Sequence, residues 1–249
     1  MRLAPVLLAI LALAACSNPH STPAPAKPAV TADPATVGTI AGRIAVDGTV
    51  PPAEMIRLDA DPKCAALAGG GQRRAEWVVT GEGNSLQDVF VYVKEGLPPR
   101  LYPIPATPVV LDQQQCRYVP RVLGIQVGQQ LTIRNSDALL HNVRSEGAIN
   151  EPFDVGTPIQ GMEVQRTFAT REVMVPFKCN VHPWMNAHVG VLEHPFFAVT
   201  DQTGRFSIAQ LPPGTYTIEI WHERFGAESR QVSVAAHETT ELTFSYKAS

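Results

Sequence analysis

From residue 39 to residue 246 the apolar side chains recur mostly at every second position, and almost never at helical spacing. Thr39–Val46 alternates apolar with polar or small residues, then Asp47-Gly48 and Pro51-Pro52 punctuate the chain. Asp88–Val93, with the sequence Asp-Val-Phe-Val-Tyr-Val, predicts a strong strand. Val109–Leu111, Val119–Gln126, Gln130–Asn135, Met162–Phe168, Val173–Lys178 and His188–Leu192 predict six more. Residues 97–108 carry Pro98, Pro99, Pro103, Pro105 and Pro108, so they must be irregular. A single short helical piece is expected around Pro62–Leu67.

After Glu193 the spacing tightens into five short strands: Phe196–Thr200, Phe206–Ile208, Tyr216–Trp221, Arg230–Val234 and Thr240–Tyr246. Tyr216, Ile218 and Ile220 share one face, while Thr217 and Glu219 take the other. Turns at 201–204 and at Pro212-Pro213-Gly214 join the first three strands, which reads as a small β-sandwich. The run Asp201-Gln202-Thr203-Gly204-Arg205-Phe206-Ser207-Ile208, followed by Leu211-Pro212-Pro213-Gly214-Thr215-Tyr216, resembles the carboxypeptidase regulatory-like domain. That resemblance implies a non-catalytic module.

The beginning of the chain has a different pattern. Arg2 precedes an apolar stretch, Leu3 to Ala15, that is too short to span a bilayer and reads as a signal segment. It ends Leu13-Ala14-Ala15-Cys16, small residues before a cysteine, which resembles the bacterial lipoprotein cleavage box. That resemblance implies lipidation of Cys16 and a firm membrane anchor. With Ser17 next, it also implies residence on the periplasmic face of the outer membrane. Residues 17–38 hold Pro, Ala, Ser and Thr with almost no large apolar residue and read as a disordered tether. The expected organisation is a signal peptide at 1–15, a tether at 16–38, an enlarged sandwich at 39–193 and the small module at 194–249.

Candidate chemistry lies in Cys179-Asn180-Val181-His182-Pro183-Trp184-Met185, together with His141 in Asn135-Ser136-Asp137-Ala138-Leu139-Leu140-His141-Asn142-Val143. A soft thiolate, two imidazoles and a weak thioether suit copper in both oxidation states. Cys179 ends a strand, His182 and Met185 follow in one short loop, and His141 arrives from a neighbouring strand. Pro183 stiffens that loop. Met185 also fits simple core filling; His188, three residues on, is the alternative fourth ligand, but its place on the exit strand is expected to point it to solvent or into packing. Trp184 packs over the metal or forms an apolar docking surface and electron path. His20, His194, His222 and His237 have no ligand-like spacing and are expected at the surface.

These motifs, over roughly residues 123–192, resemble the cupredoxins, and the short ligand loop is similar to that of amicyanin. Plastocyanin and pseudoazurin place more residues between His and Met. The resemblance implies a Greek-key β-sandwich and one type 1 copper held by His141, Cys179, His182 and Met185. It gives Asn142 the role of tying the two ligand loops together. The whole chain looks like exported cupredoxin proteins with a carboxypeptidase regulatory-like tail, often labelled methylamine-utilisation-like. With Cys16 lipidated and Cys179 on the metal, Cys64 and Cys116 remain, and an oxidising compartment favours their pairing. Two free buried thiols are the alternative.

Charge and motifs exclude several classes. The formal net charge of −3, without a dense Lys/Arg stripe, argues against nucleic acid. The seven histidines include no His-x-His pair, so a multicopper oxidase or nitrite reductase is not expected. No nucleophile elbow, His-Glu-x-x-His motif or phosphate loop occurs. The expected function is a membrane-tethered one-electron carrier that meets redox partners transiently. A copper-delivery protein and a non-redox surface module are the alternatives.

Overall fold

The computed structural model describes residues 36–50 and 52–248. The leader at 1–15, lipidation of Cys16, most of the expected tether and His20 lie outside the described residues. The regular structure of these residues is mostly β-strand, arranged as two packed sandwiches and one small hairpin.

The first sandwich has a three-stranded sheet ordered Arg205–Leu211, Gly38–Asp47, Thr239–Lys247. It faces a four-stranded sheet ordered Phe197–Val199, Phe90–Glu95, Gly214–His222, Gly226–Val234. Ile40, Ile44, Val91, Val93, Tyr216, Ile218, Ile220 and Phe244 fill the space between them. Gly38–Asp47 and Thr239–Lys247 run parallel in continuous register from Thr39↔Thr239 to Asp47↔Lys247.

This corrects the expected boundaries. Residues 38–47 and 90–95 belong to the sheets of the C-terminal module and not to an enlarged upstream sandwich. The expected tether also ends early, because Gly38 is already a buried strand residue. A sandwich built from residues 109–192 is therefore inserted between two strands of the module. The reason is non-local: the alternating pattern of Thr39–Val46 calls for one apolar face, but nothing local says which distant sheet supplies its partner.

The inserted sandwich has a five-stranded sheet ordered Asp154–Thr157, His141–Ser145, Glu172–Lys178, Asn186–Leu192, Val122–Gln126. Its second sheet is ordered Glu163–Arg166, Leu131–Asn135, Val109–Gln113, Tyr118–Val119. Leu111, Ile125, Ile133, Val143, Val175, Phe177, Val189 and Val191 form its core, which also encloses Cys179 and Met185. The predicted strand Val119–Gln126 is two strands of different sheets, interrupted at Pro120, where the ring leaves no N–H for a ladder bond.

The two sandwiches stack through a third cluster of Phe90, Tyr92, Val122, Met174 and Leu192. Strands in the middle of this stack are buried on both faces, which explains their unbroken apolar runs. In Phe90–Glu95, Val91 and Val93 enter the module core while Phe90 and Tyr92 enter the junction. The junction is close because Gly124 and Gly190, paired across adjacent strands, lack side chains. A Cβ on Gly124 would lie 2.2 Å from Phe197, and one on Gly190 would lie 2.4 Å from Phe90. Arg121, almost buried, crosses the same junction and donates from Nε to Glu223 Oε1 at 2.9 Å.

The proline-rich residues 97–108 carry the chain from module to insert. Their carbonyls at Tyr102 and Thr107 accept hydrogen bonds from the amides of Gln126 and Gln129. Residues 55–74 form the remaining piece, a hairpin of Met55–Arg57 and Gln72–Arg74 with the expected helix Pro62–Leu67 between its strands. Among the described residues no helix is long and apolar enough to cross a membrane.

Candidate metal centre

His141 opens its strand and Cys179 immediately follows the neighbouring one, whose Lys178 is paired with Arg144. This register brings Cys179 under His141. The next residues turn back sharply: His182 N–H donates to Cys179 Sγ at 3.4 Å, Met185 N–H to His182 O at 2.9 Å, and Cys179 N–H to Met185 O at 3.1 Å. The loop therefore turns Cys179, His182 and Met185 into the interior, where Cys179 and Met185 belong to one core cluster. All three are almost fully buried, as is His141.

His141 Nδ1 lies 3.0 Å from His182 Nδ1, and Cys179 Sγ lies 4.0 Å from His182 Nδ1. His141, Cys179 and His182 form a buried group whose donor atoms all lie within 4.8 Å of one another. The outer nitrogens face carboxylates: His141 Nε2 is 2.9 Å from Asp137 Oδ2, and His182 Nε2 is 3.0 Å from Asp61 Oδ2. An ionised carboxylate only accepts, so each Nε2 carries the hydrogen and donates it. A neutral imidazole then has only a lone pair at Nδ1. A proton or a metal cation satisfies two Nδ1 atoms and a sulfur that converge at these distances. Donors that share one first-row ion at about 2.0–2.3 Å lie about 3–4 Å apart, so the spacings fit a metal.

The electrostatics favour a thiolate. Burial opposes ionisation of Cys179, but hydrogen bonds from His141 and His182, each donating when protonated at Nδ1, and from the backbone N–H groups of Asn142 and His182 bring it down to about 5. Burial likewise opposes charge on the imidazoles. For His141 the Asp137 carboxylate and the Cys179 sulfur outweigh it, and for His182 Cys179 and Asp61 do, so both sit above the ordinary histidine range. The hydrogen bond from His182 holds Asp61 low. Burial opposes the Asp137 charge, but His141 and the N–H groups of Cys116 and Gln115 hold that residue low too.

The remaining sequence-predicted residues have definite places. Asn142 accepts from Asn180 N–H at 2.7 Å, linking the His141 strand to the ligand loop, and donates to Asp154 at 2.6 Å. Trp184 lies beside His182 with ring centres 5.2 Å apart and donates from Nε1 to Cys116 O at 3.2 Å. Cys64 and Cys116 form a disulfide. His188 does not compete with Met185. On its strand, Ala187, Val189 and Val191 face the core that encloses Cys179, so His188 points the opposite way and packs on Trp221 at 4.9 Å. Burial there pushes its pKa down to about 4.

His194 and His222 were expected at the surface, but both are buried and shifted down to about 4. They sit among Tyr102, Phe196, Phe225 and Tyr246, in the space where distant strands return to the module. Sequence reasoning also missed Asp61, Asp137 and Tyr118, whose hydroxyl donates to Asn142 O at 2.5 Å. Asp61 had a usable signal: an acidic residue directly before Pro62, at the start of the expected helix, is a capping position.

Residues 180–247 match the carboxypeptidase regulatory-like domain family, starting inside the ligand loop rather than at residue 194. No curated protein matches the chain. Among solved structures it is similar to a copper-containing nitrite reductase from Thermus scotoductus, at 20% identity and TM-score 0.33 over 39% of this chain, spanning only 25% of that protein. It is also similar to a purple cupredoxin from Nitrosopumilus maritimus, at 22% identity and TM-score 0.29 over 34% of this chain and 98% of that one. A mutant amicyanin in the Cu(I) form is similar at 22% identity and TM-score 0.31, over 39% of this chain and 99% of that one.

Proposed function

We propose that the chain is a one-electron carrier in which His141, Cys179, His182 and Met185 hold a single type 1 copper. One observation carries this reading: two imidazole Nδ1 atoms and an acidified thiol converge in a buried pocket, with both outer ring nitrogens already committed. Copper bound there supplies a couple between Cu(I) and Cu(II). Cys179 furnishes a soft anionic donor, the two histidines neutral nitrogens, and Met185 a weak thioether from the same loop. The hydrogen bonds that close residues 179–185, with Pro183 and the Asn142–Asn180 link, resist rearrangement when the charge changes. Leu140 and Val181, each immediately before a ligand histidine, have exposed apolar side chains and would meet transient redox partners.

The cellular place belongs to the same proposal: export, lipidation at Cys16 and attachment at the periplasmic face of the outer membrane. The Cys64–Cys116 disulfide supports export into an oxidising compartment. Full-length protein loaded with Cu(II) should be intensely blue, and Cys179→Ser should abolish the colour. A colourless Cu(II)-loaded wild type would sink the proposal. Loss of copper to a competing chelator within minutes would indicate delivery instead.

A further inference from the structure

The two ligand histidines are gripped from outside in the same manner. Asp61 caps the helix Pro62–Leu67: its Oδ1 accepts from Lys63 N–H at 2.9 Å and Cys64 N–H at 3.2 Å, leaving Oδ2 for His182. Asp137 accepts from Gln115 N–H and Cys116 N–H, both at 2.8 Å, while its Oδ2 also takes His141. Each carboxylate is thus fixed by two consecutive backbone donors, the second of them the N–H of a half-cystine. The half-cystines are joined to each other. Cys64 Sγ also lies within 4.8 Å of donor atoms of Asp61 and His182, and Cys116 Sγ within 4.8 Å of those of Asp137 and His141. The same clip holds the ligand loop, because Cys116 O accepts from Trp184 Nε1.

We infer that Asp61 and Asp137 are paired positioning residues for His182 and His141, and that the Cys64–Cys116 disulfide ties together the two backbone segments that hold them, so that one linked frame sets both imidazoles. A carboxylate on the remote N–H fixes the ring tautomer and plane and makes Nδ1 a stronger donor. Two such anions beside the centre favour the more highly charged ion, so they lower the reduction potential. Asp61 also covers the outer edge of His182, which is buried although Val181 and Pro183 on either side are exposed. No local pattern around His182 requires this partner, which comes from 121 residues upstream.

This inference rests on the copper reading for its redox consequence, but its geometry can be tested without it. Long-range proton–nitrogen NMR spectra of the histidine side chains, on full-length protein both metal-free and with copper(I) added, report each Nε2–H directly. The wild type should show two Nε2 protons that exchange slowly with solvent. Asp61→Asn should lose protection at His182 only, and Asp137→Asn at His141 only. Cys64→Ala/Cys116→Ala should weaken both together. In the blue protein the midpoint potential should rise in each Asp→Asn variant while the blue band persists. Should Asp137→Asn fail to fold, the partly exposed Asp61 still gives a decisive variant, since Asn retains capping ability. Unprotected Nε2 protons in wild type, or protection at His182 unchanged in Asp61→Asn, overturns the inference. An unchanged potential in a folded, blue Asp61→Asn overturns its redox part. A colourless wild type with the expected NMR pattern refutes the copper reading while upholding the clip.

Discussion

Removing the disulfide should be costly, and its cost can be worked from the fold. Cys64 and Cys116 are 52 residues apart and both fully buried. The chain-entropy relation for closing a loop of that length gives about 4 kcal/mol at 25 °C. Cys64→Ala/Cys116→Ala should therefore lower the unfolding free energy extrapolated to zero urea by that amount. The m-value should itself increase, because the unlinked denatured chain exposes more surface. The loss should fall first on residues 55–74, whose hairpin the disulfide joins to the inserted sandwich. Hydrogen exchange across the helix Pro62–Leu67 would show this. A loss below about 1 kcal/mol with an unchanged m-value would refute the entropic argument and mean that the hairpin is held by its other contacts.

Three other outcomes follow from the packing and electrostatics. Gly190→Ala places a Cβ 2.4 Å from Phe90 and 2.7 Å from Met174; it should destabilise by about 1–3 kcal/mol, and Phe90→Leu in the same chain should restore part of that. Strict additivity of the two changes in denaturant melts would be inconsistent with a clash between them. Burial holds Asp88 protonated up to about 6, against 3.8 in the unfolded chain, so its favourable contribution is full below 3.8 and is lost as pH rises through 6. Asp88→Asn should therefore gain on wild type between about pH 4 and pH 7, by at most about 3 kcal/mol, at a left-handed backbone position that Asn tolerates; a pH-independent difference would contradict the assignment. Finally, His188→Ala should leave the blue band of the copper-loaded protein unchanged and cost about 1 kcal/mol of packing against Trp221. Loss of the band would mean that His188 reaches the metal.

Much of the local structure was readable because strand periodicity is local. The alternation in Tyr216–Ile220 identified which residues enter the core, and the helix Pro62–Leu67 has the predicted extent. The short strands Met55–Arg57, Gln72–Arg74 and Asp154–Thr157 were not readable. They have too few residues to show a period, and their pairing comes from distant partners. His194 and His222 were misplaced because a lone histidine has no pattern, and its burial depends on which aromatic rings the fold brings over it.

The sequence by itself determined the strand class and the grouping of Cys179, His182 and Met185 within seven residues. These depend on residue chemistry and on spacings of a few residues. Only the tertiary structure decided that the chain's first described strand pairs with its last, that the site-bearing sandwich is an insertion, and that His188 faces away from the site. It alone placed Asp61 on His182 and Asp137 on His141. Such contacts join residues far apart in the chain, where many pairings satisfy the same local alternation and only the packed core selects one.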